Sequence, residues 1–319
     1  MARLPIGLLV VVSASCAACD GGVSAGRVDR CALGVRAPAG DGGTLEDSLL
    51  DFEALIDRTV DLDRQYRTLD DVVPGDHEAW SADGGRTPLV SITSRLGGGT
   101  IVPWAAVADP SDELAAPLVD DLVARLRDFD RPILVIFHAE PEEDPAYGSP
   151  EDFIAAFRRV VDASRAAGAD RVGWVWSLGS GAFPTEADDW YPGDDWVDWL
   201  GVSGFNAYGD GETPWRTFPS IFAPFREWGL AHGRPLVITA TASAENRFAE
   251  PDAPRSKATW IHEARSTLED WPEVQGFVWF HGPGPDANRE WVADSSPAAL
   301  EAFRDLAAAP HLDTTGEAR

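Results

Sequence analysis

Short apolar runs alternate with amphipathic helical patterns along most of the chain, and this alternation constrains the fold more than any other feature. Parallel strands that alternate with helices close into a barrel or form an open sheet, and no glycine-rich phosphate motif of the open, doubly wound kind follows the first run. We therefore predict an α/β fold, a single (β/α)8 TIM barrel whose strand order equals chain order. The eight predicted strands, of which the second is the weakest, are Cys31–Arg36, Val60–Tyr66, Thr87–Thr93, Ile133–Phe137, Arg171–Ser177, Val197–Phe205, Arg234–Thr241 and Val274–Gly282.

The fourth apolar run ends abruptly in a cluster of charges. The stretch RPILVIFHAEPEED, Arg131 to Asp144, contains an unbroken apolar run typical of a strand buried on both faces. TIM barrels hold their catalytic groups at the carboxyl ends of the strands. Glu140, just beyond this strand, is therefore a candidate catalytic group. A solvated charge cluster that opens a loop is the alternative.

Polar and aromatic side chains follow the other predicted strands, and in a barrel these positions converge on one face. Aromatic faces beside hydrogen-bonding groups suit a sugar ring, whose C–H faces stack while its hydroxyls need partners. No close His/Asp ligand spacing supports a metal, no G-x-S-x-G motif supports a serine hydrolase, and we expect no cofactor. The predicted substrate-binding residues are His138, Trp176, Asn206, Tyr208, Trp279 and His281.

The stretch WVWSLGSGAFPTEADDWYPGDDWVDWLGVSGFNAYG, Trp174 to Gly209, resembles glycoside hydrolase family 26, the β-mannanase-type barrels. Its most specific part is WYPGDDWVDWLGVSGFN, and similar segments are RPLVIT, KATWI and VQGFVWF, so that the resemblance covers roughly Pro132 to Phe280. It implies a retaining glycosidase fold. In such a fold a glutamate after strand four is the acid/base, and a second glutamate at the end of strand seven is the nucleophile.

These implied roles match this sequence only in part. Glu140 matches the acid/base position, although Ala139 separates it from His138, whereas the family's histidine directly precedes the glutamate. At the end of strand seven, RPLVITATAS has Ala240 at the nucleophile position, so this position is degenerate. In strand six, Phe205 replaces the tyrosine that usually follows the glycine.

The alanine leaves two hypotheses open. Retention needs two carboxyl groups about 5–5.5 Å apart, and alanine supplies none. Glu245 can substitute if its loop folds back, or Glu140 with Glu142 or Glu245 can run an inverting reaction through water at about 6.5–9.5 Å. The first hypothesis is an enzyme acting on a β-linked polysaccharide such as mannan. The second is a catalytically impaired barrel that binds glycan or serves as a cell-surface scaffold.

The N-terminal segment predicts export. Arg3 precedes an apolar stretch and then the small residues SASCAACDGG, the pattern of a secretory signal peptide. Either Cys16 or Cys19 is a candidate for lipid attachment in a bacterial lipoprotein leader, and an ordinary cleaved signal is the alternative. We expect a signal peptide over residues 1–19, a flexible tether over 20–30, the barrel over 31–308 and a disordered tail over 309–319.

The charge balance constrains the partners. The chain has 26 basic and 53 acidic residues, a formal net charge of −27. Such a surface repels phosphate backbones, so nucleic acid is excluded as a partner. The expected partner is a polysaccharide or oligosaccharide, with membrane contact only through a lipid anchor.

Overall fold

The computed structural model is a closed barrel of eight parallel strands, which confirms the predicted fold and strand order. It describes residues 30–40, 42–208, 213–284 and 290–312. Each strand pairs with the next along the chain, and the last pairs with the first. The strands are β1 Ala32–Arg36, β2 Leu62–Thr68, β3 Thr87–Thr93, β4 Ile133–Phe137, β5 Val172–Gly179, β6 Trp199–Asn206, β7 Leu236–Ser243 and β8 Val274–Phe280.

Helices surround the barrel, and several begin at a hydroxyl residue whose side chain accepts a backbone N–H. Thr44, Ser149, Thr217, Ser256 and Ser296 cap helices in this way, which satisfies one of the donors left open at a helix start. The helices are α1 Leu45–Ile56, α2 Asp76–Asp83, α3 Trp104–Ala108, α4 Ala115–Asp128, α5 Pro150–Ala166, α6 Ala187–Trp190, α7 Phe218–Gly229, α8 Lys257–Asp270 and α9 Pro297–Ala307.

The strands bury a different set of side chains on each face. A small interior cluster fills the barrel, and a much larger outer core lies between the strands and the helices. Little free space remains inside the barrel, since a Cβ on Gly201 would lie only 2.9 Å from carbon atoms of both Ser177 and Thr239. The interior cluster consists of Leu62, Leu89, Leu134, Ile136, Val175, Trp199, Val237 and Val278.

The carboxyl-terminal boundary lies later than predicted. Residues 310–312 form a 3-10 turn, and Leu312 is completely buried in the outer core. An apolar side chain thus anchors residues 309–312, which were predicted to belong to the disordered tail. The predicted signal peptide with Cys16 and Cys19, the predicted tether up to residue 29, and the predicted tail from residue 313 lie outside the described residues. Within the described ranges, no helix is both long enough and apolar enough to cross a bilayer.

Candidate active site

Two of the first three residues after β4 have backbone angles in the left-handed region. His138 has φ of 51° and Glu140 has φ of 55°, a conformation that non-glycine residues seldom adopt. The first of these turns breaks the alternation of the strand. His138 therefore faces the outer core, and Ala139 packs against the interior cluster in its place. This geometry explains how one additional residue fits between the histidine and the glutamate.

His138 stabilises this turn from the side of the outer core. Its Nδ1 accepts hydrogen bonds from the Ser94 backbone N–H (3.2 Å) and from Trp104 Nε1 (3.1 Å). The proton of the neutral ring therefore lies on Nε2, which donates to Asp144 Oδ2 at 2.9 Å. Burial lowers the pKa of His138, which favours this neutral form. The side chain of His138, predicted to bind substrate, is buried behind the turn that it supports.

Glu140 reaches over the open end of the barrel, which we call the mouth. Its backbone N–H donates to the Ser177 carbonyl, and Ser203 Oγ donates to its Oε1. Burial raises the pKa of Glu140, and the nearby Glu143 charge adds to this effect. Ser203 pairs with Ala240 in the β6–β7 register, so the two side chains lie on the same face. The carboxyl group therefore lies beside the degenerate position.

Two further carboxylates converge on Gly179, the last residue of β5. A Cβ placed on Gly179 would lie 3.1 Å from Glu142 Oε1, 3.5 Å from Glu143 Oε1 and 3.7 Å from Glu140 Oε1. Because all three oxygens lie within 4 Å of one point, any two of them are less than 8 Å apart. Glu142 Oε1 accepts the Gly179 N–H, and burial raises the pKa of Glu142 to about 7.

A buried arginine lies beside Ala240. Arg64, on the inner face of β2, is 1% exposed, and its Nε donates to the Thr239 carbonyl at 3.3 Å. Its Nη1 donates to the Gln65 carbonyl, and no carboxylate forms a salt bridge with it among the described residues. The site thus keeps a buried cation next to the position where the resemblance implies a carboxylate.

The two tryptophans predicted for the pocket lie elsewhere. Trp176 and Trp279 are both 0% exposed and pack in the outer core. Their indole N–H groups donate to the carbonyls of Trp190 and Trp291. Strand alternation places Val175 and Val278 inside the barrel and the two indole rings, predicted to bind substrate, on the outer face.

The remaining predicted residues lie around the rim. Asn206 is fully buried and holds the segment after β6 by accepting the Arg216 N–H and donating to Ser243. Its amide group, predicted to contact substrate, is thus engaged within the protein. Tyr208 is partly exposed and packs edge-on against Trp215, with ring centroids 5.6 Å apart, so it remains a candidate for sugar contact.

His281 and Glu245 turn away from Glu140. His281 packs edge-on against Phe52 at the α1 side, and burial lowers its pKa to about 4, so it is neutral at pH 7. Glu245 Oε2 accepts a hydrogen bond from Ser295, in the loop before α9. This contact gives Glu245 a partner outside the mouth, and so the structure offers no contact in support of its role as a substitute carboxylate. No group of three or more potential metal ligands occurs in the described part of the chain.

Sequence reasoning missed the arginine and the serine of the mouth. In LDRQYRT the residues Leu62, Arg64 and Tyr66 share the inner face, and in WLGVSGFN the inner residues include Ser203. The two-residue period of each strand was the available signal. Both residues lie within strands, whereas the candidate site residues were predicted at positions at or beyond the strand ends.

Comparison with known proteins confirms the family resemblance. Residues 143–237 match the model of glycosyl hydrolase family 26, a segment that lies between Glu140 and Ala240 and includes neither. Endoglucanase H of Acetivibrio thermocellus is 33% identical over 174 residues, which are 52% of this chain and 18% of that protein. The β-1,3-xylanase TXYA of a Vibrio species is 27% identical over 159 residues, 49% of this chain and 33% of that protein. The chain thus spans a third or less of the length of these two relatives.

Solved structures show the same fold. An endo-β-1,4-mannanase of Cellulomonas fimi superposes with a TM-score of 0.64 at 18% identity, covering 89% of this chain and 72% of that one. A family 26 β-mannanase of Bacteroides ovatus superposes with a TM-score of 0.63 at 14% identity, covering 89% and 90%. The similarity therefore extends over almost the whole barrel, far beyond the segment matched by the family model.

Proposed function

We propose that this barrel of the glycosyl hydrolase family 26 type acts on a β-linked polysaccharide such as mannan or xylan, with Glu140 as the general acid. The observation that supports this most directly is the Glu140 carboxyl group itself. It lies at the carboxyl end of β4, it is partly buried, and burial raises its pKa. A carboxyl group with a raised pKa holds its proton to higher pH than a free carboxyl group does, which suits a general acid that protonates the leaving oxygen of a glycosidic bond.

The arrangement of carboxylates favours an inverting route over a retaining one. Ala240 cannot form a covalent glycosyl intermediate, so double displacement lacks its nucleophile. Glu140 and Glu142 have oxygens less than 8 Å apart, as both lie within 4 Å of the Gly179 position. The individual distances of 3.7 and 3.1 Å from that position place the pair less than about 7 Å apart, at the lower edge of the wider spacing that leaves room for a water molecule. In this route one of the pair protonates the leaving oxygen, and the other deprotonates the attacking water.

The test is a hydrolysis panel with product analysis. We expect reducing ends to be released from at least one of β-mannan, β-xylan and mixed-linkage β-glucan, and Glu140→Gln to abolish the release. Proton NMR of the first product should show inversion at the anomeric carbon. Retention would overturn the inverting route, and full activity in Glu140→Gln would overturn the role of Glu140.

Ala240 favours a second candidate function, binding of a β-glycan without turnover. In this case the wild type and Glu140→Gln bind the same polysaccharide with similar affinity, and neither releases reducing ends. Arg64 supports this candidate, because its buried guanidinium beside Ala240 hydrogen-bonds to backbone carbonyls and feels a carboxylate, that of Glu140, only at longer range among the described residues.

Restoring the carboxylate separates the two candidates. Ala240→Glu would place a carboxylate beside Arg64 and on the same face as Ser203, which holds Glu140. If the chain is a glycan-binding barrel that has lost its nucleophile, this variant should gain hydrolysis with retention. Ala240→Gln, of the same size and without charge, is the matched control and should gain nothing. If the wild type is already an inverting enzyme, Ala240→Glu should lower its activity by filling the space for water.

We also propose, from the apolar and small-residue pattern of residues 1–19 alone, that the chain is exported. Labelling with a radioactive fatty acid, compared between Cys16→Ser and Cys19→Ser, would test whether either cysteine holds a lipid anchor.

A further inference from the structure

Two arginines and a tyrosine line one side of the mouth. Leu33 and Val35 pack in the outer core, so Arg36 at the end of β1 lies on the inner face. Arg64 and Tyr66 share the inner face of β2 with Leu62. The guanidinium carbon of Arg64 lies 4.3 Å from the centroid of the Tyr66 ring, and that of Arg36 lies 5.7 Å from it. The phenol ring is partly exposed, so this arrangement faces the open end of the barrel.

The donors of these arginines are not fully used. Nε and Nη1 of Arg36 are buried and have no hydrogen-bond partner, although unsatisfied buried donors are costly. Arg64 donates to three backbone carbonyls, and its side chain also interacts with the Tyr66 hydroxyl and with the charge of Glu140. Elsewhere in this barrel a buried arginine is paired: Arg86 binds both oxygens of Glu53, at 2.7 and 2.5 Å. At the mouth, Arg36 therefore keeps two guanidinium donors, Nε and Nη1, that the described residues leave open.

We propose that the ligand itself supplies the missing anion, and that the mouth selects a β-linked glycan bearing uronic acid units. A carboxylate matches the fork of a guanidinium and can accept two parallel hydrogen bonds from it. The inference rests on the proposed function, since it names the substrate class of the same mouth.

Nearby acidic groups do not fill this role. Asp63 is on the opposite face of β2, where it pairs with His77. Glu140 accepts from Ser203 and attracts Arg64 at longer range, but forms no direct hydrogen bond with Arg36. The net charge of −27 does repel an anionic polymer at long range. At physiological salt such repulsion is screened beyond about 8 Å, whereas a contact at buried donors is screened much less. The measurements are therefore made at that salt concentration.

The experiment compares one polysaccharide in two charge states. Glucuronoxylan and the same polymer after reduction of its carboxyl groups to alcohols are titrated into the whole protein in a calorimeter. We expect the acidic form to bind about tenfold more tightly, which corresponds to about 1.4 kcal/mol. Arg36→Gln should abolish the preference, so that the two polymers bind with equal affinity, and Arg36→Lys should restore part of it. Arg171→Gln, an exposed arginine just before the amino end of β5, is the matched control and should keep the preference.

The outcomes separate this inference from the proposed function. Equal affinity for the two polymers overturns the inference and leaves the proposed function intact. A preference that survives in Arg36→Gln overturns the role of Arg36. Full competition by acetate at the same carboxylate concentration overturns the glycan as the source of the anion. Failure of both polymers, and of neutral mannan and β-glucan, to bind overturns the proposed function and the inference together.

Discussion

A buried histidine between two carboxylates joins three elements at the start of the barrel, and we expect its disruption to destabilise the fold. His77 of α2 contacts Asp63 Oδ2 of β2 through Nε2 and Glu46 Oε1 of α1 through Nδ1, both at 2.8 Å. Asp63 Oδ1 also accepts a hydrogen bond from Gln65 Nε2 at 2.7 Å. Asp63→Asn preserves the shape of the side chain and removes its charge.

The magnitude follows from burial. The Asp63 side chain is 1% exposed, and breaking a buried pair costs about 3–5 kcal/mol, with the lower end expected here because Glu46 remains. About 3 kcal/mol corresponds to a Tm lower by about 6–12 °C for a domain of this size. Asp194 is the matched control, as it also accepts from a histidine (2.9 Å) and from a second side chain, Tyr191. Its side chain is 54% exposed, so Asp194→Asn should cost at most about 1 kcal/mol.

The same cluster predicts a pH dependence of stability. Burial lowers the pKa of His77, but the hydrogen bonds and charges of Asp63 and Glu46 outweigh it and raise the pKa above 6.5. The stabilisation is therefore complete below pH 6.5 and is lost as pH rises through the folded-state pKa. Burial raises the pKa of Asp63, but His77 outweighs this and lowers it below 3.8. This contribution is complete above pH 3.8 and is lost as pH falls through the folded-state pKa.

Thermal unfolding followed by circular dichroism from about pH 2 to pH 9 measures both effects. Wild type should lose stability between pH 6.5 and pH 9, and Asp63→Asn should show a smaller loss over the same range. Equal destabilisation by Asp63→Asn and Asp194→Asn, or identical pH profiles of wild type and Asp63→Asn, would refute the reasoning.

Two further predictions concern the mouth and its surroundings. Trp176→Ala should lower stability by about 3–5 kcal/mol in denaturant unfolding, because it empties a fully buried site, without changing glycan affinity under native conditions. Tyr208→Ala should lower glycan affinity and leave stability nearly unchanged. Loss of glycan affinity in Trp176→Ala, or a large loss of stability in Tyr208→Ala, would contradict the placement of these rings. Because burial raises the Glu142 pKa to about 7, its stabilising contribution is lost as pH rises through 7. Glu142→Gln should therefore raise Tm relative to wild type more at pH 8 than at pH 5, and a constant difference would contradict this pKa.

The sequence predicted the architecture well because local sequence patterns encode the strands and helices of a barrel. The eight apolar runs correspond to the eight strands, and even the weak second run, predicted over Val60–Tyr66, is β2 displaced by two residues. Segments at helical spacing became the helices, since burial of an apolar stripe and the capping of helix starts are both local in sequence. The position of Glu140 at the end of β4 followed from the same reasoning.

What the sequence by itself determined is the barrel, the strand order, the family resemblance, and the presence of an alanine at the implied nucleophile position. Only the tertiary structure decided which side of each strand faces inward. Alternation fixes that Trp176 and Val175 point oppositely, but the choice between the two sides depends on the narrow interior. The left-handed turn at His138 then shifts the alternation by one residue, and no local pattern encodes it. The contacts of Arg64 and Glu140 across the mouth depend likewise on closure of the barrel, which brings together residues far apart in the chain.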